Sequence, residues 1–451
     1  MPTAVGLAAR PSNANRMASV ARRSRPEVVA PRPRRAPKPV EYNILLTATL
    51  CLLAAGAVMV YSASSARTLL EGQGDGTVYL VKYLAFGALG LVVLQLLAHG
   101  GLERLPRLTP ALLALSFVLL VAVKVPGIGV EVNGARRWIG AGPLQFQPSE
   151  LCKLALVLYA TGLLATTPSR LRTIKDGAIK PLLLVTGGAI LLIASQPDLG
   201  TALVIAFTIG ALLLVAGVPL SLLGKIAGVG AVLVLLFILV EPYRAARLTA
   251  FVNPWAHASS SGFQAVQGQI ALGSGGMFGV GLGESVQKVF YLPEAHTDFI
   301  LAVIGEELGV AGICGLLFLY GLIGYAGLRT AKAARTRYTQ LLAAGLTSLI
   351  VCQALLNVFA VLGIAPLTGV PLPFISSGSS SLLVLLATMG LLLNVASRSA
   401  SHLASLPVPD ARPGEDAQGS ADAARADRSR RDGRARRARA GGRRSAEGGR
   451  G

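Results

Sequence analysis

The chain has 451 residues, 53% of them hydrophobic and only 14% charged, with a formal net charge of +20 and a mean hydropathy of +0.60. Soluble domains carry roughly a quarter charged residues, so this composition excludes an ordinary water-soluble enzyme. The charge sits at the ends: residues 1–42 hold nine Lys/Arg against two acids and residues 397–451 thirteen against seven, so the tails supply +13 of the +20. Cys51, Cys152, Cys314 and Cys352 lie in apolar runs without CxxC spacing. That pattern argues against a disulfide framework or a zinc site and for thiols packing as small apolar groups.

Residues 1–42 are rich in Arg, Pro, Ala and Ser and cannot bury a core. The first apolar stretch begins near Asn43, too late for a signal peptide, so a disordered basic cytoplasmic arm is expected. From there to 396, apolar runs of membrane-spanning length recur. The expected spans are 44–64, 78–98, 108–125, 148–166, 181–195, 199–217, 226–241, 299–328, 340–362 and 380–396. The fold class that follows is an all-α integral membrane protein of about ten helices. Residues 397–451 form a second disordered basic tail, whose run from Arg428 to Arg444 suits anionic membrane lipid rather than nucleic acid.

Alternate loops carry Arg104 and Arg107, then Arg170, Arg172, Lys175 and Lys180, then Lys225, then Arg329, Lys332, Arg335 and Arg337. The positive-inside rule puts these and both tails in the cytoplasm, which requires an even number of spans. The opposite side carries a long loop, 242–298, with Trp255, Phe263, Phe278, Phe290 and Tyr291 set among glycines. Loops of that length in compact proteins are commonly functional. Arg136, Arg137, Arg244, Arg247 and Lys288 also fall outside, against the usual bias, and so point to an anionic ligand.

Four stretches can carry chemistry. In the first, Asn133 to Ile139, adjacent Arg136 and Arg137 suit a phosphate and Trp138 a lipid or sugar face; an interfacial anchor explains them equally well. Pro148 then starts a helix that sets Glu150 and Lys153 three apart on one face, where a buried ion pair is expected. In the second, Ser195 to Thr201, Asp198 is expected to cap the next helix. The third runs from Gln264 to Gly309. Its glycines lack the spacing of a nucleotide loop. Asp298 lies at the mouth of a span, where partial desolvation makes a carboxylate a better general base; the alternative is that Thr297 or Asp298 caps the helix. Glu306 and Glu307 lie about 12 Å deeper, and Glu306, about 80° from the face of Asp298, is the one expected to line the same cavity. In the fourth, three prolines and a serine run from Gly363 to Ser381 imply irregular backbone at the outer edge. Its hydroxyls, Ser376 among them, suit a polar headgroup, with no histidine partner to make a nucleophilic serine.

Together these stretches resemble the SEDS family of membrane proteins (shape, elongation, division and sporulation), and its FtsW branch more than its RodA branch. The resemblance covers about 44–398. It rests on NGARRWI at 133–139, QPSELCK at 147–153, QPDLGTA at 196–202, YLPEAHTDFI at 291–300, GEELG at 305–309 and LPFIS at 372–376. After LPFIS the family continues with tyrosine and two glycines, whereas here Ser377, Gly378 and Ser379 follow. The resemblance implies a peptidoglycan glycosyltransferase that polymerises lipid II at the outer face of the bacterial cytoplasmic membrane. It implies as partners a class B penicillin-binding protein and other divisome proteins at the septum. It also implies that Asp298, in the His296-Thr297-Asp298 motif, is the catalytic aspartate. Arg136, Arg137, Arg247 or Lys288 could offset charge on the departing diphosphate. A divalent cation, magnesium or manganese, could share that task, but no ligand cluster in the sequence demands one. A lipid II flippase and a noncatalytic divisome scaffold are the competing readings. A flippase needs a polar path to both faces, and the inner halves of the spans are nearly bare.

Overall fold

The computed structural model describes residues 38–70, 77–132, 134–141, 144–166, 178–240, 242–289, 292 and 295–403. The arm before residue 38, the tail after 403, the bases Arg170, Arg172 and Lys175, and Asn133, Phe290 and Tyr291 lie outside them.

Among the described residues, ten apolar helices follow the expected spans: α1 (Val40–Leu70), α2 (Thr77–His99), α3 (Leu105–Ala122), α4 (Pro148–Thr166), α5 (Ile179–Ala194), α6 (Leu199–Val215), α7 (Leu220–Leu239), α10 (Ile300–Ala333), α11 (Arg337–Val361) and α12 (Ser379–Leu403). Eight are long and apolar enough to cross a membrane. The other two, α5 and α6, have 16 and 17 residues. At about 1.5 Å per residue they reach roughly 24–26 Å, short of a hydrocarbon core of roughly 30 Å. Ten helices therefore match the expectation, whereas ten full-length spans do not. The connection 242–298, expected to lack a span of its own, contains α8 (Pro242–Val252), a 3₁₀ turn (Trp255–His257) and α9 (Phe263–Ser274).

Helix α12 lies at the centre of the bundle, with 94% of its apolar window buried, and α7 at the periphery, with 6%. The centre is reached by close backbone approach. A Cβ at Gly390 on α12 would stand 2.6 Å from the Leu94 carbonyl oxygen of α2, a separation only glycine permits.

A small antiparallel sheet joins α3 to α4: β1 (Gly129–Val132), β2 (Ala135–Ala141) and β3 (Leu144–Phe146). Its register sets Val130 opposite Trp138 and Ile139 opposite Phe146. The sequence reading took this stretch as an interfacial loop. The overlooked signal is Asn133-Gly134 between a valine-rich run and a β-compatible one, a hairpin turn pair.

Helix α10 is broken inside the bundle. Gly309 has φ 66° and ψ −163°, which interrupts the intrahelical ladder and would orphan backbone groups on either side. The segment after α9 supplies partners for them. Val280 and Gly281 N–H donate to the Glu306 and Glu307 carbonyls at 2.9 and 3.1 Å, and Gly276 and Met277 carbonyls accept from Val310 and Ala311 N–H at 3.0 and 3.1 Å. The long connection thus docks about 13 Å along α10 from its start rather than lying over the end of the bundle.

Candidate active site

The irregular backbone between α11 and α12 is held by four side chains from three helices. The Val370 carbonyl accepts from Asn357 Nδ2 at 2.7 Å, Pro371 from Gln353 Nε2 at 3.0 Å, Pro373 from the Tyr320 hydroxyl at 2.5 Å and Phe374 from the Tyr83 hydroxyl at 2.5 Å. Phe374 has φ 65° and is 1% exposed, a conformation tolerated where the surroundings over-determine it. Non-helical backbone at this depth is stable only when its polar groups are satisfied, and these four donors satisfy them.

This segment grips the His296-Thr297-Asp298 turn by its backbone. The His296 carbonyl accepts from Ser377 N–H at 3.1 Å and from Ser377 Oγ at 2.9 Å. The Thr297 carbonyl accepts from Ser376 Oγ at 2.5 Å, and the Asp298 carbonyl from Asn357 Nδ2 at 2.7 Å. The Ser376 hydroxyl also accepts from Leu372 N–H at 2.8 Å, so both its roles serve the backbone. Ser377, one of the residues that depart from the expected motif, thus adds a hydroxyl bond to the same turn. The buried His296 ring packs against Tyr79, with centroids 4.6 Å apart. The half-buried Asp298 carboxylate accepts from Thr297 Oγ1 at 3.2 Å. The helix N-cap is Phe299, which has no side-chain cap; neither Thr297 nor Asp298 caps α10.

Next to this turn, Lys153 Nζ lies 2.9 Å from the Glu150 carboxylate, with side chains 2% and 1% exposed. This is the ion pair expected from their spacing. Lys153 also donates to Gln353 Oε1 at 2.7 Å, which the sequence reading did not foresee; through Gln353 the pair reaches the Pro371 carbonyl.

Asp198 caps α6 as expected, accepting from Thr201 N–H at 3.2 Å. Its other oxygen accepts from Gln147 Nε2 at 3.0 Å and Ser149 Oγ at 3.3 Å, so the QPSE and QPDLG stretches meet at one carboxylate. Arg137 closes the same junction, donating to the carbonyls of Gln196, at 2.9 Å, and Pro197. Its neighbour Arg136 points elsewhere, to Glu131 at 3.1 Å, with both side chains about half exposed. Trp138, on the same strand β2, is partly buried.

Glu306 and Glu307 serve the docked segment. Lys288 Nζ donates to Glu307 Oε1 at 2.8 Å, to the Gly283 carbonyl at 2.7 Å and to Ser62 Oγ at 3.2 Å. Ser62 in turn donates to the same carboxylate, and Ser285 Oγ and Val286 N–H donate to that of Glu306. The expectation that Glu306 shares a cavity with Asp298 assumed one helix running through both. Asp298 precedes α10, and the Glu306 carboxylate is taken up by residues 285–286. Lys288, expected to meet an anionic ligand, is 4% exposed and neutralises Glu307. Arg247 lines a small cavity with Gln269, Gly363 and Leu367, on the same irregular segment whose Gly369 lies beside Asp298: a Cβ there would stand 3.8 Å from Asp298 Oδ2. Among the described residues, no three His, Cys, Asp or Glu side chains gather as a metal site.

Residues 43–401 match the FtsW/RodA/SpoVE family, described as cell cycle proteins. The chain belongs to this family. It is 38% identical over 359 residues to the stage V sporulation protein E of Bacillus subtilis, covering 78% of this chain and 96% of that one. It is 41% identical over 357 residues to a probable peptidoglycan glycosyltransferase FtsW of Thioalkalivibrio sulfidiphilus, covering 78% and 88%. Among solved structures, a chain of a peptidoglycan synthase complex, in a study of how polymerisation and crosslinking are coordinated, superposes with a TM-score of 0.65 at 31% identity, covering 79% of this chain and 97% of that one. The rod shape determining protein RodA of Thermus thermophilus superposes with a TM-score of 0.58 at 31% identity, covering 78% and 95%. In this FtsW/RodA/SpoVE chain, the His296-Thr297-Asp298 turn and the LPFIS segment at 372–376 are bonded to each other.

Proposed function

We propose that the chain is a peptidoglycan glycosyltransferase that polymerises lipid II at the outer face of the cytoplasmic membrane, with Asp298 as its general base. The observation that carries this reading is the hold on the His296-Thr297-Asp298 turn: all three carbonyls are hydrogen-bonded, which leaves a half-buried carboxylate on an immobilised backbone. Catalysis by proton transfer needs such positioning. The Asp298 carboxylate takes the proton of an acceptor sugar hydroxyl as that oxygen attacks the anomeric carbon of the donor. The carbon–oxygen bond to the undecaprenyl diphosphate then breaks, and negative charge gathers on the departing phosphate. A cation beside it lowers the barrier. By its placement Arg247, whose cavity shares the irregular segment beside Asp298, is the candidate for this role, with Arg136 at the exposed rim.

Both termini in the cytoplasm follow from the placement of basic loops. The family's description as cell cycle proteins supports a role in division, and the structural neighbour in a complex that couples polymerisation to crosslinking supports a transpeptidase partner, here taken as a class B penicillin-binding protein at the septum. A flippase would need a polar path through the bundle open to the diphosphate headgroup; the buried polar groups Glu307 and Lys288 are paired with each other and Glu306 is bonded to Ser285 and Val286, which favours the polymerase. The test is labelled lipid II in detergent with the purified chain and its transpeptidase partner, products being resolved by length. Glycan ladders from the wild type and none from Asp298→Ala are expected. Ladders from both would remove Asp298 from the chemistry, and none from either with the partner bound would remove the polymerase.

A further inference from the structure

The amide of Asn357, on α11, is buried and reaches both the turn and the facing segment. Both of its N–H bonds are used, to the carbonyls of Asp298 and Val370, each at 2.7 Å, whereas its Oδ1 has no hydrogen-bond partner among the described residues. The orientation is forced, because exchanging oxygen and nitrogen would aim the oxygen at two carbonyl oxygens. A packing role explains none of this. An apolar side chain of similar size would fill the position without burying an unpaired oxygen, which is costly. What the amide alone provides is two donors diverging from one atom.

We propose that Asn357 is a positioning residue, which sets the Asp298 carboxylate against the facing segment by holding the Asp298 and Val370 carbonyls at once. The inference rests on the reading of Asp298 as the base. Three features carry it. First, Asp298 lies before the N-cap Phe299, which makes no side-chain cap, so the start of α10 does not fix the turn. Second, the bonds from Ser376 and Ser377 join the turn to the 370–377 segment loop to loop, and Tyr320 and Tyr83 tie the far part of that segment to α10 and α2. Asn357 ties both to a helix, and Gln353, one turn earlier on the same face, holds the next carbonyl, Pro371, at 3.0 Å. Third, the two walls that Asn357 joins are the ones that flank the carboxylate, since Gly369 adjoins Val370 and a Cβ there would stand 3.8 Å from Asp298 Oδ2. Asn357 touches no substrate in this account; it acts through the backbone of Asp298.

The test is steady-state kinetics on labelled lipid II with the full chain and its transpeptidase partner, comparing wild type, Asn357→Ala, Asn357→Leu and Asp298→Ala. Misplacing a catalytic group by about 1 Å costs on the order of 100-fold in rate. Both Asn357 variants are therefore expected to lose about 10- to 100-fold in kcat with KM for lipid II within about 2-fold. Wild-type kcat in either variant, or a raised KM at unchanged kcat, overturns the proposal. If neither variant accumulates, Ser376→Ala, which removes the donor to the adjacent Thr297 carbonyl, carries the test: a kcat loss at constant KM supports the hold on the turn, and wild-type kinetics overturn it. Asp298→Ala keeps the two readings apart. If it polymerises, the base assignment fails whatever Asn357 does; if it is inactive while the Asn357 variants run at full rate, only the positioning role fails.

Discussion

Replacing Lys288 by methionine removes one member of a buried pair and leaves its partner in place. The side chains of Lys288 and Glu307 are 3% and 0% exposed, so solvent does not screen what remains. All three Lys288 donors are in use, on α10, on the docked segment and on α1. After the substitution, Glu307 keeps only the Ser62 hydroxyl, at 2.6 and 2.8 Å from its two oxygens. Removing one partner of a buried ion pair costs roughly 3–5 kcal/mol, whereas replacing both by neutral groups of similar shape is often close to neutral. Lys288→Met should therefore lose about 3–5 kcal/mol, and Lys288→Met with Glu307→Gln about 1–2 kcal/mol or less. The assay is unfolding in mixed micelles titrated with SDS, with hydrogen exchange over residues 280–289 to locate the loosening. A double variant that loses the sum of the two single losses, or a single variant that loses under about 1 kcal/mol, would show that the pair does not hold the docked segment.

Two further outcomes follow from the same geometry. Gly309→Ala places a Cβ 2.4 Å from the Gly279 amide nitrogen and 2.6 Å from the Met277 carbonyl at a φ of 66°, so it should destabilise by more than the roughly 1–2 kcal/mol that left-handed backbone costs a residue with a Cβ; thermal unfolding equal to wild type would refute this. Arg137→Ala strips charged donors from the Gln196 and Pro197 carbonyls and should cost about 1.5–3 kcal/mol, whereas Arg136→Ala, at an exposed pair, should stay within about 0.5 kcal/mol; the order of unfolding midpoints checks it, and a larger loss at Arg136 would reverse the assignment.

Features that depend on residues close in sequence were legible before the fold. The i,i+3 spacing of Glu150 and Lys153 implied their pair, because a helix that starts at Pro148 puts them on one face. Asp198, three residues before the Thr201 N–H, implied the cap. Where one side chain had several possible partners, local spacing did not choose. Arg136 and Arg137 are adjacent and alike in the sequence, yet one faces Glu131 and the other closes the junction at Gln196. Lys288 looked like a ligand-binding cation because its partner, Glu307, lies on another element. The irregular segment after Gly363 was legible from its prolines; that Asn357, Gln353, Tyr320 and Tyr83 hold it was not, since single polar residues in apolar helices carry no local signature of what they bond.

The sequence by itself determined that the chain is a helical membrane protein with basic tails, and the helix positions to within a few residues, because hydropathy over a span is a sum of local contributions. It also determined the family, through motifs each held within a few neighbouring residues. Only the tertiary structure decided that α10 breaks at Gly309 and that the 276–281 backbone completes it. The same holds for the His296-Thr297-Asp298 carbonyls, which meet donors 59–81 positions away. The physical reason is common to both cases. A buried backbone group must find a partner, and where its own helix cannot supply one, the choice falls to whichever element the packing brings within about 3 Å.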